Sequence, residues 1–440
     1  MPERDGDPEA VDQARGAACG PAADGDLPLP SSAAASDVLA IGEATHGSSE
    51  FFRTRAAVVR QMVQEHGTRM VALEASAAAT VDLDQTLGLD PTQAQIVASL
   101  GRLGYWTWHV QEMLELLTWI ASWNARRSLA DRIQVVGIDP NVAGSALARL
   151  RSTPPGGRAA AAALDRLRPL AERDGRLLAR DRHLPGLVEA ATDLRQALLA
   201  NGPGDCGADG ACGAEPARAA LLDSRIVLSG LEQEADTRRR GIHSVARTGF
   251  RDQRMADLLR LHRAADRRPG GVLLLAHNLH IVREVPVDAR YRPLGALLAA
   301  ELGDRYYALG QLFGRGDFLA KSVIAPSLQR RPRRRRVALT PGLPLVEHVL
   351  DQVDGATYIL DLRQHAGSTA LALSRHTTTR AFGALVVPVL YRTSASHLDP
   401  GRAYDGIIYH REVSSSTLLP RPSRGLRSRG VIGVSPGRPC

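Results

Sequence analysis

An α/β architecture, with a mainly parallel central sheet flanked by helices and a helical insertion, follows from two features of this 440-residue sequence. Short apolar runs at residues 38–41, 70–73, 133–138 and 272–276 are each bounded by turn-forming residues, and helix-like stretches separate them. That alternation builds βαβ units, because parallel strands are joined through crossover helices. Composition agrees: 44% of residues are hydrophobic and 23% charged. No run approaches the roughly 18 apolar residues that a membrane span needs.

The elements are read in chain order. Residues 1–35, rich in Ala, Gly, Pro and Asp, are expected to form a disordered leader, and the domain proper runs from 36 to 414. The first strand, 38–41, enters a turn with two glycines, after which Ser48 or Ser49 is placed to cap a helix over 50–66. Strand 70–73, a helix over 110–124 and strand 133–138 follow. An insertion at about 141–262 contains helical patterns at 159–180, broken at Pro169, at 187–199 and at 217–262, with a Gly-rich loop at 201–216. Strand 272–276 closes the first half. Beyond it stand a helix at 345–352 and strands at 358–362, 384–390 and 406–409, while residues 415–440 are expected to be a disordered basic tail.

The formal net charge of +8 is concentrated rather than spread. Six arginines (Arg330, Arg331 and Arg333 to Arg336) form one run, expected to be a solvated loop, and Arg421, Arg424, Arg427, Arg429 and Arg438 lie in the tail. The remainder is nearly neutral, which does not fit a dedicated nucleic-acid binder. Neither nucleic acid nor membrane is expected as a partner. Four cysteines (Cys19, Cys206, Cys212 and Cys440) have no zinc-binding spacing and suggest no disulfide framework. The acidic N-terminus has no apolar stretch of the kind that directs export, so a cytoplasmic location is expected.

The chemistry lies where the early strands end. Glu43 and His46 follow the first strand, Glu74 the second and Asp139 the third, and residues 272–276 deliver His277, Asn278 and His280. Ligands of open α/β sheets bind outside the carboxyl ends of the strands, so these groups are expected to share one crevice. A single acid or histidine at such a point is commonly a turn former or a cap; several on one edge argue for a site. Arg55 lies two helical turns into the following helix and is expected to reach the cleft. Trp119 and Trp123 read as core, whereas Trp106 and Trp108 precede a helix and are placed to line an apolar pocket.

The strings GEATHG, SSEFFRTR and VALEAS, then VVGIDP, RDQRMADLL and LLLAHNLHIVRE, resemble in order the erythromycin esterase family. The resemblance covers roughly residues 36–412. It implies hydrolysis of a lactone or carboxylic ester by water activated at His46, without a serine nucleophile. Glu43, Glu74, Arg55, His277 and His280 match the other polar positions of the family's cleft.

Imidazole suits this task because its ordinary pKa of about 6.5 leaves it able to take a proton near neutral pH. Either Glu43 or Glu74 is available to orient His46. The oxyanion is expected to find donors in Arg55, His280 or backbone N–H groups after Gly47, and His277 is expected to protonate the leaving alkoxide. No cofactor or metal is expected: HNLH is not the HExxH of zinc hydrolases, and GxSxG is absent. The expected partner is a small ester or lactone of a natural product, macrolide-like in class. Two rivals keep the same groups: intramolecular acyl or dehydrative chemistry in a biosynthetic pathway, and non-catalytic binding of haem or metal.

Overall fold

The computed structural model describes residues 7–21, 27–141, 143–152, 157–172, 181–200, 214–241, 245–266, 268, 270–284, 291–324, 331–376, 378–388 and 390–420. Twelve strands occur among them: β1 (Ala18–Cys19), β2 (Val38–Ile41), β3 (Met70–Ser76), β4 (Gln134–Asp139), β5 (Val272–Leu275), β6 (Tyr306–Ser322), β7 (Arg333–Val337), β8 (Thr357–Asp361), β9 (Thr378–Thr379), β10 (Leu385–Val386), β11 (Ser396–His397) and β12 (Gly406–Val413). Eight form a continuous order, β1-β8-β12-β6-β2-β5-β3-β4, with β7 and β10 also pairing β6. The stretch β12-β6-β2-β5-β3-β4 is wholly parallel, as expected, and β8 and β1 add antiparallel pairs at one side.

Strand alternation divides the core. Val38 and Ala40 of β2, with Val272 and Leu274 of β5, face the cluster that includes the insertion helices. Leu39, Ile41, Leu273 and Leu275 face the cluster built with the helices Ser49–Glu65 and Gln111–Asn124. Covering both faces is what makes these strands read as unbroken apolar runs. The insertion forms helices Arg158–Arg166, Arg168–Ala171, Leu184–Ala200, Ala214–Arg240 and Val245–Ala265, so the broken pattern near Pro169 is real. Most of its Gly-rich loop, with Cys206 and Cys212, lies outside the described residues, as do Arg330, Cys440 and the tail after Pro420.

Several expectations are corrected. The supposed disordered leader contains a helix, Pro8–Ala17, with Asp7 accepting from Glu9 N at 3.1 Å and Ala10, Val11, Ala14 and Ala17 buried. Those four residues share one helical face, a stripe obscured by alanine-rich composition. It leads into β1, which pairs with β8. The arginine run is no loop: Arg333–Val337 pairs antiparallel with β6. The longest strand, β6, was not anticipated, because Gly310, Gln311, Gly314, Arg315 and Gly316 interrupt its apolar pattern. Strand 384–390 shrinks to Leu385–Val386. Part of the segment expected to be a disordered tail belongs to the domain, since Ser415 bridges Ser48, Leu418 bridges Val110 and Ser416 N donates to Gly47 O at 3.0 Å.

Candidate active site

Four neighbouring strands, β2, β5, β3 and β4, carry the anticipated groups at or beside their carboxyl ends, where the sheet order makes them adjacent. The turn after β2 is tight because a side chain at Gly42 would collide with Asn278 Oδ1 and one at Gly47 with the Leu319 backbone. Neither glycine has positive φ, so space rather than backbone freedom excludes a side chain. Ser48 occupies the N-cap position without capping by its side chain; its Oγ lies 3.0 Å from Thr45 Oγ1, and Ser49 Oγ donates to Glu112 at 2.7 Å.

His46 Nδ1 lies 2.7 Å from Glu43 Oε1. The other carboxylate oxygen of Glu43 accepts from Arg55 Nη1 at 2.7 Å, and Arg55 Nη2 donates to the carbonyls of Ile41 and Ala276. Nδ1–H donation to a carboxylate leaves Nε2 as the basic nitrogen of the ring. His46 keeps 16% of its side chain exposed, against 2% for Glu43 and 1% for Arg55. Arg55 is therefore walled in beneath Glu43, where it orients the carboxylate and cannot touch a substrate. This corrects its expected place in the cleft.

His277 follows β5, its ring centroid 5.0 Å from that of His46. Its Nδ1 accepts the N–H of Leu279 at 3.2 Å, so Nε2 carries the proton. Burial, reinforced by the nearby His46 and His280 and only partly opposed by Glu74, pushes its pKa well below the usual histidine value. His277 is a neutral hydrogen-bond donor. A hydrogen bond to the backbone of Phe382 opposes part of that fall.

Behind this pair stands a buried ionic network. Glu74 Oε2 accepts the N–H of His277 at 2.9 Å, and Glu74 Oε1 accepts from Arg251 Nη2 at 2.8 Å. His280 places Nε2 3.2 Å from Glu74 Oε1 and Nδ1 2.6 Å from Asp252 Oδ1. Burial favours neutral His280, but the carboxylates of Asp252 and Glu74 outweigh it and raise its pKa to about 10. Burial likewise favours protonated Glu74, yet His280 and Arg251 hold its pKa well below the glutamate value. Asp139, fully buried at the end of β4, accepts from Arg251 Nε at 3.1 Å and from Tyr105 at 3.3 Å. Asp139 thus holds Arg251 rather than a substrate.

Three more expectations change. Asn278 spends its amide on Gln311, donating to its carbonyl at 2.9 Å and accepting from its N–H at 3.2 Å, so it locks β6 to the turn after β5. Trp108 is buried, its Nε1 donating to Glu74 O at 3.1 Å and its ring edge-on to Phe52; Trp106 is half-buried. Of the helix-start N–H groups after Gly47 expected as oxyanion donors, that of Ser49 is occupied, donating to Ser414 O at 2.8 Å. Arg251 and Asp252 were not singled out from the sequence. The RD pair opening RDQRMADLL was the available signal, but among many insertion arginines it reads as a solvated helix face. Among the described residues, no three His, Cys, Asp or Glu side chains are arranged to hold a metal ion.

The erythromycin esterase family model matches residues 63–413, a span that includes Glu74, Asp139, Arg251, Asp252, His277 and His280; Glu43, His46 and Arg55 precede it. The fold is similar to that of a Bacillus cereus protein (TM-score 0.75, 17% identity, 95% of this chain and 100% of that one covered). It is also similar to a succinoglycan biosynthesis protein (TM-score 0.74, 16% identity, 95% and 100% covered). A mutant of the erythromycin esterase EreC in its open conformation matches with TM-score 0.68 and 17% identity, over 89% of this chain and 95% of that one. At such identities the likeness is one of fold, and the family assignment comes from the sequence match. The chain belongs to the erythromycin esterase family, and a hydrolase-type function goes with that membership.

Proposed function

We propose that this chain hydrolyses a lactone or carboxylic ester of a natural product, macrolide-like in class, using water activated by His46. The observation that carries this reading is the facing of two differently prepared imidazoles. His46 is held by Glu43 with Nε2 available as a base, and His277, 5.0 Å away between centroids, is neutral with its proton on Nε2.

His46 Nε2 takes a proton from water as the oxygen bonds to the acyl carbon. The carbonyl π electrons move to oxygen, and His277 Nε2–H donates a hydrogen bond to the resulting oxyanion. Collapse breaks the bond from acyl carbon to alkoxy oxygen, and the proton held on His46 passes to the departing alkoxide. The products are an acid and an alcohol, or one opened chain from a lactone. Sequence reasoning gave His277 the alkoxide proton, but that task needs an imidazolium, which burial disfavours at this position. Glu74, Arg251, His280, Asp252 and Asp139 position His277 by fixing its backbone N–H through Glu74.

The test is to incubate the purified chain with a panel of macrolide lactones and simple esters and follow masses. Gain of one water in a chelator-insensitive reaction supports the proposal. Loss of water, or no turnover of any lactone or ester, rejects it in favour of dehydrative chemistry or binding.

A further inference from the structure

Five of the nine exposed large hydrophobic residues among the described residues crowd one region: Val323 (43%), Ile324 (68%), Leu385 (44%), Val387 (43%) and Leu390 (64%). Hydrogen bonds join their segments. Val323 N donates to Val386 O at 3.0 Å, β10 pairs with the end of β6, and Tyr391 OH donates to Arg336 O of β7 at 3.1 Å. Strand alternation turns Leu385 and Val387 outward while Val386 is buried.

The same region concentrates positive charge. Leaving aside Arg380, which is buried beside Glu347, the described residues within 318–340 and 378–398 include seven lysines and arginines and no acid. Asp317, opposite Arg336 in the β6–β7 register, lies just outside these segments. Alternation in β7 sets Arg334 and Arg336 on one side of the strand and Arg333 on the other; these three and Arg331 are exposed, and none is ion-paired among the described residues. A solvated face usually mixes signs, and a monomer surface seldom gathers this many aliphatic side chains.

We propose that this surface, made by β7, β10 and the end of β6, docks onto an anionic lipid bilayer, contrary to the expectation that no membrane is involved. Guanidinium groups pair with lipid phosphates, and the aliphatic side chains enter the boundary between headgroups and acyl chains. Nucleic acid fits less well, because base stacking requires exposed aromatic rings, and Tyr391 is buried at 7%. A second copy of the chain brings the same positive charge and is repelled.

Co-sedimentation of the full chain with vesicles tests this. Binding is expected to vesicles of phosphatidylcholine with phosphatidylglycerol, to none of phosphatidylcholine alone, and to fall with salt. Replacing Arg333, Arg334 and Arg336 together with serine is expected to weaken binding on the order of a hundredfold. Ile324→Ser with Leu390→Ser is expected to weaken it about tenfold at unchanged charge. Circular dichroism melts of both variants check that the fold is kept. Failure to bind anionic vesicles overturns the proposal. So does binding that survives the arginine substitutions, which would trace to the arginines after Pro420. Loss with the arginine variant but not the aliphatic one makes the surface a general polyanion site, and retention of RNA by that aliphatic variant would identify it as one.

Discussion

His46 is the residue on which the proposed chemistry turns, and its environment separates a catalytic from a structural role. Its side chain is partly exposed and bonded only to Glu43, so His46→Ala removes the base without opening a cavity in the core. Turnover is expected to fall below detection while the melting temperature stays within a few degrees; retained esterase activity would refute the assignment. Glu43→Gln keeps the shape but loses the charge, and its single amide oxygen cannot accept from both His46 Nδ1–H and Arg55, so kcat is expected to fall about a hundredfold to ten-thousandfold. Arg55 behaves differently. Arg55→Ala leaves the buried Glu43 carboxylate and two backbone carbonyls uncompensated, costing about 3–5 kcal/mol of stability as well as activity, to be read from urea unfolding.

At the scale of elements, the segment after β12 is part of the domain. Thr417 N lies 3.2 Å from Glu112 Oε1, Ser416 N donates to Gly47 O and Leu419 N to His109 O. Ending the chain at Ser414 strips a backbone donor from the buried Glu112 and is expected to cost about 1–3 kcal/mol, with reduced turnover. Ending it at Pro420 is expected to leave both stability and turnover unchanged. Thermal melts and ester assays of the two truncations side by side decide this. The helix Val245–Ala265 has an equally specific duty: it projects Arg251 and Asp252 from the insertion into the ionic network. Asp252→Asn removes a carboxylate 2.6 Å from His280 Nδ1 and should lower the pKa of that imidazole from about 10, visible by NMR titration.

Over the whole molecule, buried histidines set opposing pH limits. Burial lowers the pKa of His262 to about 4 and of His410 to about 3, and that of His277 also falls. The unfolded chain takes up protons at these sites near pH 6.5 that the native protein refuses until far lower pH. Their stabilisation is complete above about pH 6.5 and is lost as pH falls towards 3, at up to about 1.4 kcal/mol per group per pH unit. His280 has the reverse sign: its raised pKa contributes fully below about pH 6.5 and fades as pH rises to about 10. Urea unfolding across pH should peak near neutrality, with the alkaline limb flattened in His280→Asn.

The sequence by itself determined the parallel strands β2, β3, β4 and β5 and the acids and imidazoles at their ends, because doubly buried strands are written as unbroken apolar runs and the functional groups follow directly in the chain. It also determined that His46, Glu43, Glu74, His277 and His280 belong together. It could not show β6, whose glycines and polar residues are paid for by hydrogen bonds with distant strands, nor the N-terminal helix, whose short alanine stripe gains meaning only against the domain it covers. Roles within the site were decided by the tertiary structure alone. Whether Arg55 meets substrate or lies beneath Glu43, which nitrogen of His277 holds the proton, and whether His280 is charged all depend on burial and on partners such as Asp252, which stands 28 residues earlier in the chain. Electrostatic energies depend on distance in space, and only the packed fold sets those distances.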